Sequence, residues 1–325
     1  MFVPLLSGVI SFLVVFFITP WMIRYLRRIG LTVKDQHKPD KPLIPLSGGI
    51  AVAVGIFFST MVYVFLRTFI YEDIGSLLLI FASLTSLLLI TFIGFFDDLF
   101  IRADRETSSG LKQWQKPLLT LVAAVPLVVI NAGHTTIGLP LLGVIHLGWI
   151  YPLIVIPLIV LIGSNMVNLL EGYNGIASGM GLVYLGMLGL FAYVNQSYVA
   201  AFIALVTFSA LLAFYYYNKV PARILPGDSL TYLLGGTIAV IGIVGNIERA
   251  MVIVSIPFAI EFFLKLRGKF RMQSYGHYEH GKVKTDHKKI YSLVHFFTNS
   301  GKFTERQVVY FMIFIELVFA SLIWI

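Results

Sequence analysis

The chain contains no cysteine. Disulfides, thiolate nucleophiles and cysteine-ligated metal or cluster sites are therefore excluded. Charge is also scarce: Asp, Glu, Lys and Arg make up 12% of 325 residues, about half the ~25% of a soluble domain. No long polar segment exists from which a separate soluble domain could be built. The opening Met-Phe-Val-Pro-Leu-Leu has no basic n-region, so the first apolar run reads as a retained span and not a cleaved signal. The chain is instead mostly hydrocarbon, with 58% hydrophobic residues and a mean hydropathy of +0.87. These proportions imply an all-α polytopic membrane protein, with 1–325 forming one integral-membrane domain.

Hydrophobic runs predict about ten transmembrane helices, at 4–23, 46–66, 75–96, 117–132, 150–168, 176–194, 198–217, 229–246, 250–266 and 306–325. The loops between them alternate in charge. The first, third, seventh and ninth hold 22 of the 24 Lys and Arg, leaving Arg67 and Arg249 on the other side. The positive-inside rule then places both termini outside and the basic loops in the cytoplasm. The expected location is the cell membrane, multi-pass, or the endoplasmic reticulum membrane if the source is eukaryotic. On the outer side, His134 to Trp149 combines β-branched residues with a Gly-Leu-Pro turn and suggests a small external hairpin.

Polar chemistry is concentrated at a few points. Within Gly163–Gly179, between two uncharged runs, Asn165, Asn168, Glu171 and Asn174 recur every three residues. On a helix that spacing forms one drifting polar stripe. Such a stripe fits a wet cavity or a ligand, or else a polar junction at the membrane surface. Eleven of the sixteen acids lie on the cytoplasmic side. Asp97 and Asp98 in Gly-Phe-Phe-Asp-Asp, Glu171, and Asp228 in Leu-Pro-Gly-Asp-Ser sit at span ends on that face. Their oxygens suit Mg²⁺, or Mn²⁺ in its place. Plainer readings are a solvated helix end for Asp97-Asp98 and an N-cap for Asp228. Lys112 and Lys116 are spaced i,i+4 and fit either a phosphate or a headgroup anchor. The long cytoplasmic loop 265–306 carries ten basic residues and four histidines. Interleaved Tyr275, Gly276 and Gly281 point to a folded substrate loop; attraction to anionic lipid is the alternative.

Taken together, these motifs resemble the polyprenyl-phosphate N-acetylhexosamine-1-phosphate transferases, a glycosyltransferase family 4 type that includes bacterial phospho-muramoyl-pentapeptide transferases and the dolichyl-phosphate N-acetylglucosamine-phosphate transferases of eukaryotes and archaea. The resemblance spans most of the chain, in order: Pro45-Leu-Ser-Gly-Gly49, Gly94-Phe-Phe-Asp-Asp98, Lys116, Asn165-Met-Val-Asn-Leu-Leu-Glu-Gly-Tyr-Asn-Gly175 and Gly227-Asp228. The first-loop run Lys34-Asp-Gln-His-Lys-Pro-Asp-Lys-Pro and Asn174 look more like the dolichyl branch. The bacterial three-His motif is missing, since Tyr275 and Gly276 precede His277.

The resemblance implies transfer of N-acetylglucosamine-1-phosphate from UDP-N-acetylglucosamine to a polyprenyl or dolichyl phosphate, with release of UMP. It implies Mg²⁺ held by Asn168 and Asp228, Asp97 near the lipid phosphate with Asp98 in support, Lys116 on pyrophosphate, and Gly172 and Asn174 at uracil. Asn165, Glu171, Lys112, Arg267, Lys269, Arg271 and His277 complete the expected substrate contacts. The partners expected are the two substrates and the bilayer, with no nucleic acid and a homodimer left open. Rival readings are a phospho-muramoyl-pentapeptide or other hexosamine-1-phosphate transferase, and a transporter of an anionic solute. The Asp-Gly-x-x-Ala-Arg signature of CDP-alcohol phosphotransferases is absent.

Overall fold

The structure is a computed structural model that describes residues 2–101, 114–131 and 133–325. Long apolar runs become long helices because a helix satisfies its own backbone in hydrocarbon. In chain order these are α1 (Phe2–Arg28), α2 (Gly49–Phe69), α3 (Leu77–Phe100), the short α4 (Gln115–Val122) and α5 (Val125–Ile130), α6 (Tyr151–Leu170), α7 (Ile176–Val194), α8 (Tyr198–Asn218), α9 (Gly227–Gly245), α10 (Glu248–Val254) and α11 (Ile256–Arg267), the one-turn α12 (His295–Thr298), and α13 (Glu305–Ser321). The first turn of α6, Tyr151–Val155, is π-helical, ahead of Pro157.

Among the described residues, eight helices are long and apolar enough to cross a membrane. The two remaining expected spans are broken, which corrects their reading as single helices. Of the expected span 117–132, the described residues 117–130 fall mainly on α4 and α5, and residues 250–266 fall on α10 and α11. Pro126 and Pro257 stand in the first turns of α5 and α11. Proline has no N–H and crowds the preceding turn, so each helix restarts there.

The chain is not purely helical either. Among the described residues, three antiparallel hairpins pair β1 (Thr32–Lys34) with β2 (Leu43–Pro45), β3 (Thr136–Leu139) with β4 (Gly143–His146), and β5 (His277–Glu279) with β6 (Lys282–Lys284). The second is the hairpin expected within 134–149.

α9 is the axis of the bundle. Every residue from Ser229 to Ile243 is buried, as a helix apolar all round requires. Around it pack α2, α3, α6, α8 and α10. The periphery presents large apolar side chains outward, such as Phe17, Phe69 and Leu78, each at least 70% exposed. A surface this apolar identifies a multi-pass membrane protein. The β1–β2 and β5–β6 loops gather at one end, with the start of α9. Tyr151 donates a hydrogen bond to buried Glu248 near the β3–β4 end, where the hairpin packs on α10.

Candidate active site

At the α9 end, residues far apart in sequence meet. Asp98, at the last turn of α3, is fully buried and accepts hydrogen bonds from three donors. Ser47 Oγ donates to its Oδ2 at 2.6 Å, the Asp228 N–H to Oδ1 at 2.7 Å, and the Ser229 N–H to Oδ2 at 3.2 Å. The free N–H groups opening α9 and its dipole both favour a carboxylate there. Asp98 therefore caps α9. This corrects the reading of Asp228 as its own N-cap: Asp228 lies in the first turn, and its side chain makes no capping bond.

Two glycines allow this approach. A Cβ on Gly94 would lie 2.3 Å from the Asp228 carbonyl oxygen. Gly227 has φ +67°, and a Cβ there would lie 2.4 Å from Asp98 Oδ2. Only a residue without a side chain brings α3 against the α9 backbone so closely.

Asp97 is also fully buried, and Lys116 from α4 forms an ion pair with it. The same Nζ lies 2.9 Å from Asp228 Oδ2. Lys116 thus bridges two of the aspartates. Tyr232, one turn into α9 and fully buried, is adjacent to Asn168 and the acid cluster. Asp97, Asp98, Lys116, Asn168 and Asp228 are therefore brought together as expected from the motifs. Asp228 and Asn168 form a hard oxygen donor set. One carboxylate and one amide suffice for Mg²⁺ that keeps waters or takes phosphate oxygens, so the residues fit such an ion.

The expected polar stripe does not form. α6 ends at Leu170, and Glu171 turns extended, at φ −61° and ψ 133°. Its carboxylate accepts from the Ala177 N–H at 3.3 Å in the first turn of α7. Burial raises that carboxyl to about 8, opposed by the Ala177 bond. Asn165 bonds the Leu161 carbonyl of its own helix at 2.8 Å and reaches Thr120 Oγ1 at 3.5 Å.

Asn174 joins a second cluster. Its Nδ2 donates to Asp35 Oδ2 at 2.8 Å and its N–H to Glu305 Oε1 at 3.2 Å. Lys38 pairs with Glu305 and lies 3.8 Å from Asp35. The His37 ring stacks on Tyr173 at 4.2 Å and sits 3.6 Å from Glu305. Burial lowers the His37 imidazole to about 4, opposed by Asp35.

The 265–306 loop is folded, not a loose tail. Ser274 Oγ donates to the Leu169 carbonyl at 3.3 Å, and the Gly276 N–H reaches the Tyr173 hydroxyl at 3.2 Å. A Cβ on Gly172 would lie 3.2 Å from Ser274 Cβ, so the loop lies directly on that residue. His295 accepts from the Tyr291 N–H at 3.1 Å, and its other nitrogen donates to the Gln273 carbonyl at 3.2 Å. Burial, then His287, lowers it to about 4.

The loop's basic residues, expected to contact phosphate, are placed as follows. Arg267 lies over the Tyr291 ring at 5.9 Å, and Lys269 and Arg271 are exposed. His277 pairs at 2.8 Å with Asp286. Lys112 lies outside the described residues. Reading the sequence missed Ser47, Ser229, Tyr232, Asp35, His37, Lys38 and Glu305. Ser47 and Ser229 sit inside or beside quoted motifs, and Tyr232 follows Asp228 by one helical turn.

The glycosyl transferase family 4 profile matches residues 79–246, more than half of the chain. That segment contains Asp97, Asp98, Lys116, Asn168 and Asp228. The chain belongs to this family. It is 38% identical over 319 residues to a putative UDP-N-acetylglucosamine–dolichyl-phosphate N-acetylglucosaminephosphotransferase of Saccharolobus solfataricus, covering 97% of this chain and 94% of the relative. The Sulfolobus acidocaldarius protein of the same name is 33% identical over 324 residues, covering 98% of this chain and 94% of that protein. A phospho-N-acetylmuramoyl-pentapeptide-transferase of Bacillus mycoides is 31% identical over 271 residues, 79% of this chain and 80% of its own.

Proposed function

We propose that this protein transfers N-acetylglucosamine-1-phosphate from UDP-N-acetylglucosamine to a polyprenyl or dolichyl phosphate, releasing UMP. The observation that carries the reading is Lys116 bridging Asp97 and Asp228 beside Asn168 at one end of an apolar bundle, in a chain similar over nearly its whole length to two proteins with that printed activity. The lipid phosphate oxygen attacks the phosphorus bearing the sugar. A new P–O–P bond forms, and the bond from that phosphorus to the oxygen of UMP breaks. A largely ionised phosphate, with a second pKa of about 6, needs no strong base. Asp97 accordingly positions the lipid phosphate, and Asp98 holds α3 and α9 in register around it. Lys116 exchanges a carboxylate for pyrophosphate and offsets its charge. Asn168 and Asp228 would hold Mg²⁺; when bound, it supplies charge neutralisation to the pyrophosphate and the leaving UMP.

The bias of Lys and Arg toward the same end supports a site on the cytoplasmic face of the cell membrane. The pairs α4–α5 and α10–α11 serve as two further crossings, giving ten spans and external termini. Residues 265–306, resting on Gly172 and Tyr173, form the substrate loop that covers the sugar. Tyr275 and Gly276, where the pentapeptide enzymes carry histidines, favour the dolichyl-type substrate over the pentapeptide one.

Thin-layer analysis of lipid products from the purified protein, offered several UDP-sugars, tests the proposal. A lipid-linked N-acetylglucosamine pyrophosphate that forms with Mg²⁺ and disappears in EDTA is expected. Undiminished product in EDTA contradicts the metal role, and a product from no UDP-sugar contradicts the activity.

A further inference from the structure

A polar cavity lies at the same end, beside the Asn174 cluster. It encloses about 170 Å³ and is lined by Asn174, Tyr215, Lys219, Arg306, Val309 and Tyr310. Lys219 follows α8 and Arg306 opens α13, so the cavity sits where two long apolar helices reach the membrane boundary. Basic residues at span ends ordinarily anchor a protein among headgroups. Here two of them face one cavity with two tyrosines at its walls and the buried Asn174 among its lining residues.

Their charge is not neutralised from within. Among the described residues, neither Lys219 nor Arg306 has a carboxylate within 4 Å. Lys219 lies over the Tyr216 ring at 5.2 Å, and Arg306 donates only to the Val220 carbonyl, at 3.3 Å. Glu305, next to Arg306, is committed to Lys38 and to the Asn174 N–H. Two unpaired cations at a small concave site attract a compact anion with several acceptors. The volume is below the ~300 Å³ at which pockets take whole drug-sized ligands, so it suits a headgroup-sized anion and not a nucleotide sugar.

We propose that this cavity binds a phosphate group through Lys219 and Arg306, with the phenols of Tyr215 and Tyr310 available as hydrogen-bond donors. The source of that phosphate is either an anionic phospholipid headgroup or a free phosphate ion. The proposal does not depend on the catalytic reading.

The test uses the full-length protein in neutral, phosphate-free detergent, with Tm read against added phosphatidylglycerol, phosphatidylcholine or inorganic phosphate. Phosphatidylglycerol is expected to raise Tm by several degrees and phosphatidylcholine not to. The double variant K219Q/R306Q should need roughly tenfold more phosphatidylglycerol or lose the rise altogether. The charge-preserving K219R/R306K should keep it, which separates loss of the anion site from damage to the fold. A rise with phosphatidylglycerol alone identifies a headgroup site, and a rise with inorganic phosphate as well identifies a general phosphate site. An undiminished rise in K219Q/R306Q overturns the proposal. So does a double variant whose only defect is a raised KM for UDP-N-acetylglucosamine, because the cavity would then belong to the nucleotide.

Discussion

The Asp98 carboxylate meets the backbone of Asp228, not its side chain: the Asp228 N–H donates to Asp98 Oδ1 at 2.7 Å. The neighbouring Asp97 turns instead to Lys116. Two adjacent aspartates on one helix end therefore do different jobs. One fixes the start of α9, and the other holds Lys116.

This difference is measurable. Asp98→Asn weakens the cap on α9 and should lower stability by about 1–2 kcal/mol, with kcat falling alongside. Asp97→Asn should leave Tm close to wild type and reduce kcat by about 10²-fold or more. Thermal unfolding in detergent, paired with initial rates, separates the two. Equal losses of Tm in both variants would contradict the division of labour.

Gly94→Ala should be among the costliest single-methyl additions in the chain. Its Cβ would meet the Asp228 carbonyl oxygen at 2.3 Å, a backbone atom that cannot swing away. Overpacking of this kind costs about 1–3 kcal/mol or more, and here it also displaces Asp228 from Lys116. Gly138→Ala, with nothing within 4 Å, is the matched control. Yield of folded protein and Tm should drop for the first and not for the second.

The ends of this contrast were unequally legible in the sequence. Carboxylates in an apolar chain must find partners, so Asp97, Asp98 and Asp228 announced themselves, and Lys116 came with the motif. The Asn165–Asn174 spacing misled, because a period of three implies a face only while the helix lasts. Glu171 leaves the helix, and Asn174 turns to Asp35. The cluster of Asp35, His37, Asn174 and Glu305 was hidden, since its partners lie 139 and 131 residues apart along the chain. The basic flank Arg267–Arg271 reads as a phosphate clamp by composition alone; in the fold Arg267 lies over the Tyr291 ring, and Lys269 and Arg271 are exposed. Prolines 126 and 257 marked the two breaks that hydropathy alone smoothed over.

Glu305→Gln tests that hidden cluster. It leaves Lys38 with a weaker partner and loosens the Asn174 backbone. If Asn174 stands at the nucleobase, KM for UDP-N-acetylglucosamine should rise several-fold with kcat nearly unchanged. A kcat defect at constant KM would place the cluster elsewhere in the cycle.

The acid limb of stability should follow two histidines. His37 and His295 are held neutral, each near 4 instead of 6.5, by burial. Between those values the unfolded chain binds protons that the folded chain does not. The contribution of these two histidines is thus fully present above pH 6.5 and declines as pH falls toward 4. Asp35, Lys38 and Glu305 face His37, and His287 and Lys265 lie near His295. His37→Gln and His295→Gln should each flatten the decline of Tm over that window, and an unchanged slope in both would contradict it.

The central claim is that phosphorus moves with the sugar. UDP-N-acetylglucosamine labelled at the phosphorus bearing the sugar, incubated with the purified protein and a polyprenyl phosphate, tests it most directly. The account predicts that the label enters the lipid in step with the sugar and that unlabelled UMP is released. Label remaining in UDP while sugar reaches the lipid, or no labelled lipid at all, would contradict it.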